Sequence, residues 1–357
     1  MGSTDIVLDL ALQGGGSHGA FTWGVLDRLL DERRIHCAAI SGASAGAMNA
    51  VVLASGLLTG GRAGARQSLN NFWKRISQST RSASSRQPFQ ALFMRGDHFS
   101  RPWPIAGPWA ASIAFWTAAA ETFTRTISPY QWNPLNYNPL LDLFSEAVDF
   151  ELLRTTQDLR LFISATSVRT GALKVFRNPE LSARAVMASA CLPQLFQAVE
   201  IDGEAYWDGG YLGNPALLPL IAESEPADLL IIQLNPPARA VRSRSAAGIA
   251  DRLNEITFNA SLMKELKSIA LLKQALDEEP PGHAFKHPLF NQIRQLRLHR
   301  IAAEEATFRL GAKSKLDPEW EFLLALHGQG QQAADAWLSR HWSDLGQRST
   351  LDLESVA

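Results

Sequence analysis

The sequence predicts an α/β fold with a mostly parallel central sheet, and three observations lead to it. Two short apolar stretches, residues 6–13 and 37–41, have the character of buried strands and are each followed by a glycine-containing turn. A segment with helical periodicity follows each turn. A continuous apolar run, residues 229–234, predicts a further buried strand. Strand, turn and helix in repeated succession are typical of a parallel sheet covered by helices.

The first two helices are predicted from their apolar faces. In residues 20–32, Phe21, Val25 and Leu29 recur at the spacing that places them on one side of a helix. Residues 45–57 are rich in Ala, Val and Met, which favours a second, largely buried helix.

A change of composition over residues 77–139 predicts a helical cap inserted over the sheet. The segment begins rich in Ser and Arg and continues rich in Pro and Trp. Its longest uncharged run, residues 102–120, is broken by proline and glycine and therefore does not predict a membrane-spanning helix. Two interpretations stay open: the aromatic side chains contact a bilayer, or they pack as an ordinary cap. The Trp residues are Trp103, Trp109, Trp116 and Trp132.

Beyond the insertion the α/β pattern returns and then gives way to helices. We expect a strand at 159–168, a helix at 181–190, two short strands at 198–201 and 205–207, and the last buried strand at 229–234. These boundaries predict one α/β domain over residues 1–240, followed by a mainly helical extension over 241–357 that packs on the same domain. The extension is predicted to form helices at 247–276, 319–326 and 331–342.

The overall composition excludes several classes of function. Lys and Arg number 34 against 35 acidic residues, so no bulk positive field exists to hold nucleic acid. The two cysteines, Cys37 and Cys191, lie in apolar settings and predict free thiols in a reducing compartment. Residues 1–9 show no basic segment followed by a long apolar run. We therefore expect a cytoplasmic protein.

The sequence Gly42-Ala43-Ser44-Ala45-Gly46 lies between a predicted strand and a predicted helix. This is the context of a nucleophile elbow, in which a tight turn between small residues lifts a serine to the carboxyl edge of the sheet. The start of the following helix favours negative charge near that serine. A small-residue turn without chemistry is the alternative.

Residues 14–19 (GGGSHG) form a glycine-rich loop between the first strand and the first helix. Such a loop presents backbone N–H groups to an anionic oxygen. Its spacing also fits a dinucleotide-binding loop, but that site expects an acidic residue at the end of the second strand. The second strand here leads into Ser41 and Gly42 instead, which favours an oxyanion hole.

An aspartate in a glycine turn, Asp208-Gly209-Gly210, follows the aromatic pair Tyr206-Trp207. Burial beside Trp207 would raise the pKa of Asp208 toward a value useful for a general base. An ordinary Asp-Gly turn is the alternative.

These three motifs, in this order, resemble those of the patatin-like phospholipase family, and the resemblance covers residues 6–234. It implies a three-layer α/β/α fold with Ser44 as nucleophile and Asp208 as the base of a Ser-Asp dyad. The oxyanion hole would be formed by Gly14, Gly15 and Gly16. The glycines that complete the motifs are Gly19, Gly42, Gly46, Gly209 and Gly210. One departure is His18, where the family usually carries Arg or Lys.

The resemblance further implies a lipid ester substrate, a phospholipid or lysophospholipid, hydrolysed without metal or cofactor. Neutral glycerides and polyesters stay open, and peripheral membrane contact would run through the Trp-rich insertion. Two other functions are weighed: a non-enzymatic lipid-binding protein, and an esterase with a Ser-His-Asp triad. The triad would draw on one of His283, His287, His299, His327 and His341.

Overall fold

A sheet of eight strands forms the centre of the protein, as seen in a computed structural model that describes residues 5–86, 128–236, 238, 244–280, 282–303 and 312–353. The strand order is β5-β6-β3-β2-β1-β7-β8, with β4 paired to β3. Five consecutive strands of this order are parallel to one another: β3, β2, β1, β7 and β8. The other three, β4, β5 and β6, run antiparallel to their neighbours. The strands are β1 (Ile6–Leu12), β2 (Ile35–Gly42), β3 (Arg160–Ser167), β4 (Leu173–Arg177), β5 (Val199–Ile201), β6 (Glu204–Asp208), β7 (Asp228–Gln233) and β8 (Arg297–Ala302).

Helices cover both faces of the sheet, which confirms the predicted α/β class. On β1, Leu10 and Leu12 face one apolar core while Ala11 faces the other, as expected for a strand buried on both sides. The first core is closed by α1, α2, α4, α6 and α10, and the second by α7, α8 and α9. The helices are α1 (Gly19–Leu29), α2 (Ala45–Arg86), α3 (Pro129–Trp132), α4 (Pro139–Ala147), α5 (Phe150–Thr155), α6 (Ala183–Ser189), α7 (Leu218–Glu223), α8 (Ala246–Asp277), α9 (Pro288–Gln295) and α10 (Trp320–His341).

The helices differ in two places from the sequence prediction. Residues Ala45–Arg86 form α2, but the backbone is not helical at Gly60 and Gly61, so two helical segments meet there at a kink. The first segment ends close to the predicted residue 57, and the second was not predicted. The separate helices predicted at 319–326 and 331–342 are one helix, α10, because the intervening glycines and glutamines do not interrupt it.

The sheet also holds two strands that the sequence pattern does not predict, β4 and β8. Strand β8 was missed because Arg297 and His299 give it a polar appearance. The buried carboxylate of Asp228 pairs with both side chains: it accepts from Arg297 Nη2 at 2.6 Å and lies 2.9 Å from His299 Nε2. The expectation that residues 229–234 form the last strand is therefore wrong.

Much of the predicted insertion, residues 77–139, lies outside the described residues. Its first part belongs to α2, its last part contains α3 and the start of α4, and Trp103, Trp109 and Trp116 fall between them in the part that is not described. The division of the chain at residue 240 stays a prediction, although residues on both sides supply strands to one sheet. Within the described residues, no helix is both long and apolar enough to cross a membrane.

Candidate active site

Parallel pairing brings the first two motifs together at the carboxyl edge of the sheet. Leu12 lies opposite Gly42 in the register of β1 and β2, so the loop after β1 and the turn after β2 are neighbours. The contact is close: a Cβ atom placed on Gly14 would lie 2.8 Å from the Ser44 Cβ atom. The glycine-rich loop therefore runs directly beside the candidate nucleophile.

Ser44 occupies a strained turn between β2 and α2. Its φ angle is +52°, a left-handed conformation that non-glycine residues rarely adopt. The Ser44 N–H donates to Ser189 Oγ at 2.9 Å. A Cβ atom on Gly46 would lie 2.1 Å from the carbonyl oxygen of Leu12, so only glycine allows the turn to pack against β1. This is the geometry of a nucleophile elbow, with α2 beginning immediately after the serine.

Two backbone donors of the glycine-rich loop bond to no acceptor in the part of the chain that the structure describes. Gly14 N–H already donates to Asn214 Oδ1 at 2.7 Å, which differs from the expectation that all three glycines serve an oxyanion. The N–H groups of Gly15 and Gly16 have no hydrogen-bond partner among the described residues. Gly16 has a φ of +59°, and the loop then enters a short 3-10 helix, Gly16–His18. The loop is therefore a nest of N–H groups suited to a single anionic atom.

Asp208 lies at the end of β6 and is fully buried. Its Oδ1 atom accepts the Gly210 N–H at 2.7 Å, while Oδ2 accepts no hydrogen bond from the described residues. Burial raises the pKa of Asp208 to about 7, against the opposing effects of the Gly210 N–H, the Ser44 hydroxyl and the Lys315 ammonium. The carboxylate is thus poised to exchange a proton near neutral pH, beside Ser44.

The two glycines after Asp208 are required by close packing. A Cβ atom on Gly209 would lie 2.0 Å from the Ser164 carbonyl oxygen of β3, and one on Gly210 would lie 2.6 Å from the Phe258 ring of α8. The backbone of Asp208 itself is held by β3, because Thr166 Oγ1 donates to its carbonyl oxygen at 2.8 Å. The motif therefore fixes the aspartate against two elements of the fold, β3 and α8.

The structure adds a charged residue that sequence reasoning missed. Lys315 lies in the 3-10 helix Ala312–Leu316, and its Nζ atom donates to Asn235 Oδ1 at 2.8 Å and to Asn254 Oδ1 at 2.9 Å. Its charge lowers the pKa of both Asp208 and His18. Nothing in the local sequence distinguishes Lys315 from a surface lysine. Asn235, which follows β7, is the residue in the sequence that indicates a polar site here.

His18 is a buried, neutral part of the loop. It is 4% exposed, and its Nε2 atom pairs with Ser314 Oγ at 2.7 Å. Burial lowers its pKa to about 3, and the nearby Lys315 acts in the same direction. The loop itself therefore carries no positive charge at pH 7, and the charge near it comes from Lys315.

The described histidines serve other partners than Ser44 and Asp208. No hydrogen bond joins any of them to either residue, and His98 lies outside the described residues. Three of the five histidines considered for a triad instead contact aspartates elsewhere. These pairs are His299 with Asp228, His327 with Asp27 and His341 with Asp344.

Both cysteine thiols are unpaired with each other and protonated. Burial raises the pKa of Cys191 to about 12, and the negative charge of Asp208 acts in the same direction. Burial also raises the pKa of Cys37. Within the described part of the chain, no group of three or more His, Cys, Asp and Glu side chains is arranged to hold a metal ion.

The fold and this sheet edge define an α/β protein with a serine elbow, a glycine-rich loop and a buried aspartate. A family model described as patatin-like phospholipase matches residues 10–221, which is more than half of the sequence. The chain therefore belongs to the patatin-like phospholipase family, and membership supports lipid acyl hydrolase activity. No curated protein matches the chain.

Two solved structures show weak overall similarity. VipD from Legionella pneumophila is 16% identical, with a TM-score of 0.41 over 94% of this chain and 67% of that one. ExoU, solved as the heterodimeric ExoU-SpcU complex from the type III secretion system of Pseudomonas aeruginosa, is also 16% identical. Its TM-score is 0.38, over 96% of this chain and 53% of that one, so the chain spans about half of that protein.

Proposed function

We propose that this protein hydrolyses the acyl esters of lipids, with Ser44 as nucleophile and Asp208 as its acid/base partner. The observation that carries the proposal is the Asp208 carboxylate: it is buried, its Oδ2 atom lacks a partner among the described residues, and its pKa is about 7. A base with that pKa beside a strained serine is suited to acyl transfer at neutral pH.

The reaction follows from these positions. Asp208 takes the hydroxyl proton of Ser44 as Oγ attacks the ester carbonyl, and the oxyanion receives the N–H groups of Gly15 and Gly16. Each such donor is worth about 3 kcal/mol of barrier. The C–O bond then breaks, and Asp208 gives its proton to the departing alcohol. A water molecule, deprotonated by Asp208, attacks the acyl enzyme and releases the fatty acid, with the proton returning to Ser44.

The proposed substrate is a phospholipid or lysophospholipid, the class that the family description indicates. We place the protein in the cytoplasm, with peripheral membrane contact through the Trp-rich insertion. The Ser-His-Asp alternative is not favoured, because the described histidines contact neither Ser44 nor Asp208. The lipid-binding alternative gives no role to a buried carboxylate whose Oδ2 atom lacks a partner among the described residues, an arrangement that costs folding stability.

Ser44→Ala tests the proposal against a matched serine substitution. Ser55→Ala is the control, because Ser55 lies buried in the same helix and accepts the Asp149 N–H at 3.1 Å. Hydrolysis of a short-chain chromogenic ester should fall by about a thousandfold or more in Ser44→Ala and persist in Ser55→Ala. A fluorophosphonate should label Ser44 in the wild-type protein. Turnover that survives in Ser44→Ala, or a label on another serine, would overturn the assignment.

A further inference from the structure

The segment Ala312–Leu316 packs on the glycine-rich loop although the two are about 300 residues apart. A Cβ atom on Gly16 would lie 2.2 Å from the Lys315 carbonyl oxygen, so the two backbones are in direct contact. Two residues from that contact, His18 Nε2 pairs with Ser314 Oγ. The segment Ala312–Leu316 thus contacts the first and the last residue of the 3-10 helix Gly16–His18.

The Lys315 side chain then extends from this contact toward the candidate base. Its ammonium is held by the side-chain oxygens of Asn235, which follows β7, and Asn254, which lies on α8. It also lies 5.7 Å from the centre of the Phe258 ring, the ring that packs on Gly210. A cation fixed at three points has a defined position, unlike a surface lysine.

We propose that Lys315 is a positioning residue of this site: its carbonyl fixes the oxyanion loop at Gly16, and its ammonium supplies the positive charge that favours the ionised form of Asp208. The family match ends at residue 221, so the fixed charge near the loop comes from outside the matched region. In its role toward catalysis, the inference rests on the proposed function of Ser44 and Asp208.

The charge of Lys315 acts on Asp208 together with two other titratable side chains of the described residues. The three side chains that interact with Asp208 in this way are Cys191, Tyr211 and Lys315. Burial raises the pKa of both the Cys191 thiol and the Tyr211 hydroxyl, so both are neutral at pH 7. Lys315 is the charged member of this set, and it opposes the effect of burial on Asp208.

The first test measures the ionisation of Asp208 without requiring turnover. Aspartate carboxyl carbons labelled with ¹³C are titrated by NMR, and the Asp208 signal is identified by its loss in Asp208→Asn. We expect Asp208 to titrate at higher pH in Lys315→Met than in the wild type, and at the wild-type pH in Lys315→Arg. Lys267→Met, which removes an exposed lysine of α8, is the matched control and should leave the titration unchanged.

An unchanged Asp208 titration in Lys315→Met would overturn the inference. If that variant does not fold, Lys315→Gln provides the same comparison, because its amide still donates to an asparagine oxygen while the charge is removed. This result stands whether or not the protein hydrolyses esters, since it depends only on the folded carboxyl group.

The second test uses the pH profile of ester hydrolysis. Because Asp208 must be ionised to act as base, Lys315→Met should lose about tenfold in kcat/KM at pH 6 and much less at pH 9. An equal loss at every pH would indicate a structural role and refute the electrostatic one. Absence of hydrolysis and of Ser44 labelling in the wild type would refute the proposed function, while the NMR titration would still decide the role of Lys315.

Discussion

The substitution Asp208→Asn tests two effects of the buried Asp208 carboxylate: its role in catalysis and its effect on the free energy of unfolding. The asparagine has nearly the same shape, and its Oδ1 atom can still accept the Gly210 N–H that Asp208 receives at 2.7 Å. The substitution removes the proton acceptor beside Ser44 and also removes the only state that is costly to bury, the carboxylate. We therefore expect the variant to lose activity and, at alkaline pH, to gain stability relative to the wild type.

The size of the stability effect follows from proton linkage. The pKa of Asp208 is about 7 in the folded protein and near 3.8 in the unfolded chain, so the unfolded chain loses its proton first as pH rises. The contribution to stability is therefore complete below pH 3.8 and is lost progressively up to about pH 7. The full loss is about 4 kcal/mol, of which roughly 2–3 kcal/mol falls between pH 5 and pH 8.

Urea unfolding of the wild type and Asp208→Asn at pH 5 and pH 8 measures this difference. Any cost of burying the new amide is the same at both pH values and cancels. The unfolding free energy of Asp208→Asn minus that of the wild type should therefore rise by about 2–3 kcal/mol from pH 5 to pH 8. The same preparation should show a fall in kcat of about a hundredfold to ten-thousandfold.

Asp9→Asn is the matched control for burial without catalysis. Asp9 lies in β1, is 3% exposed, and has its pKa raised to about 7 by burial, while Ser224 Oγ donates to it at 2.9 Å. The control variant should gain stability with pH in the same manner while retaining its esterase activity. Equal activity loss in both variants, or a pH-independent stability difference for Asp208→Asn, would refute the assignment of Asp208 as a buried base.

Two further substitutions test how the edge of the sheet is held together. Gly46→Ala should lower the free energy of unfolding by about 1–3 kcal/mol in urea denaturation, because its Cβ would lie 2.1 Å from the Leu12 carbonyl oxygen; an unchanged midpoint would contradict the close packing. Asn214→Ala should reduce esterase kcat by tenfold or more, because Gly14 N–H loses its acceptor at 2.7 Å and the Phe258 carbonyl loses its donor. Wild-type kcat with reduced stability would show that Asn214 supports the fold alone.

The parts of the fold that follow local rules were predictable from the sequence. Apolar runs identified β1, β2 and β7, the first two with the help of the glycine turns that follow them, because strands buried on both faces of a parallel sheet carry few polar residues. Strand β8 escaped this rule because Arg297 and His299 pair with Asp228, a partner about 70 residues away, and Arg300 donates to Gln233. The spacing of apolar residues shows which face of a strand or helix is apolar. It does not show which polar residue pairs with a residue that is distant in the sequence.

The candidate site was likewise predictable only in part from the sequence. The sequence motifs predicted that Ser44 and the glycine-rich loop lie at one edge, because the parallel strands β1 and β2 share a carboxyl edge. Asp208 ends β6, which is antiparallel to β3, so its place beside them was expected from the family resemblance and not from this rule. The hydrogen bond from Gly14 to Asn214 was not predictable, because an isolated Gly-Gly-Gly run does not show which N–H is used within the protein. The same holds for Lys315, whose position depends on contacts with two asparagines on separate elements.

The fold retains several arrangements at this edge that cost stability, and their location is informative. Ser44 has a left-handed backbone, Asp208 is buried with an unpartnered oxygen, and the loop leaves two N–H groups without acceptors among the described residues. Each costs about 1–3 kcal/mol, and folding alone favours none of them. These three features lie in adjacent motifs, which is the pattern expected where selection acts on chemistry and not on stability.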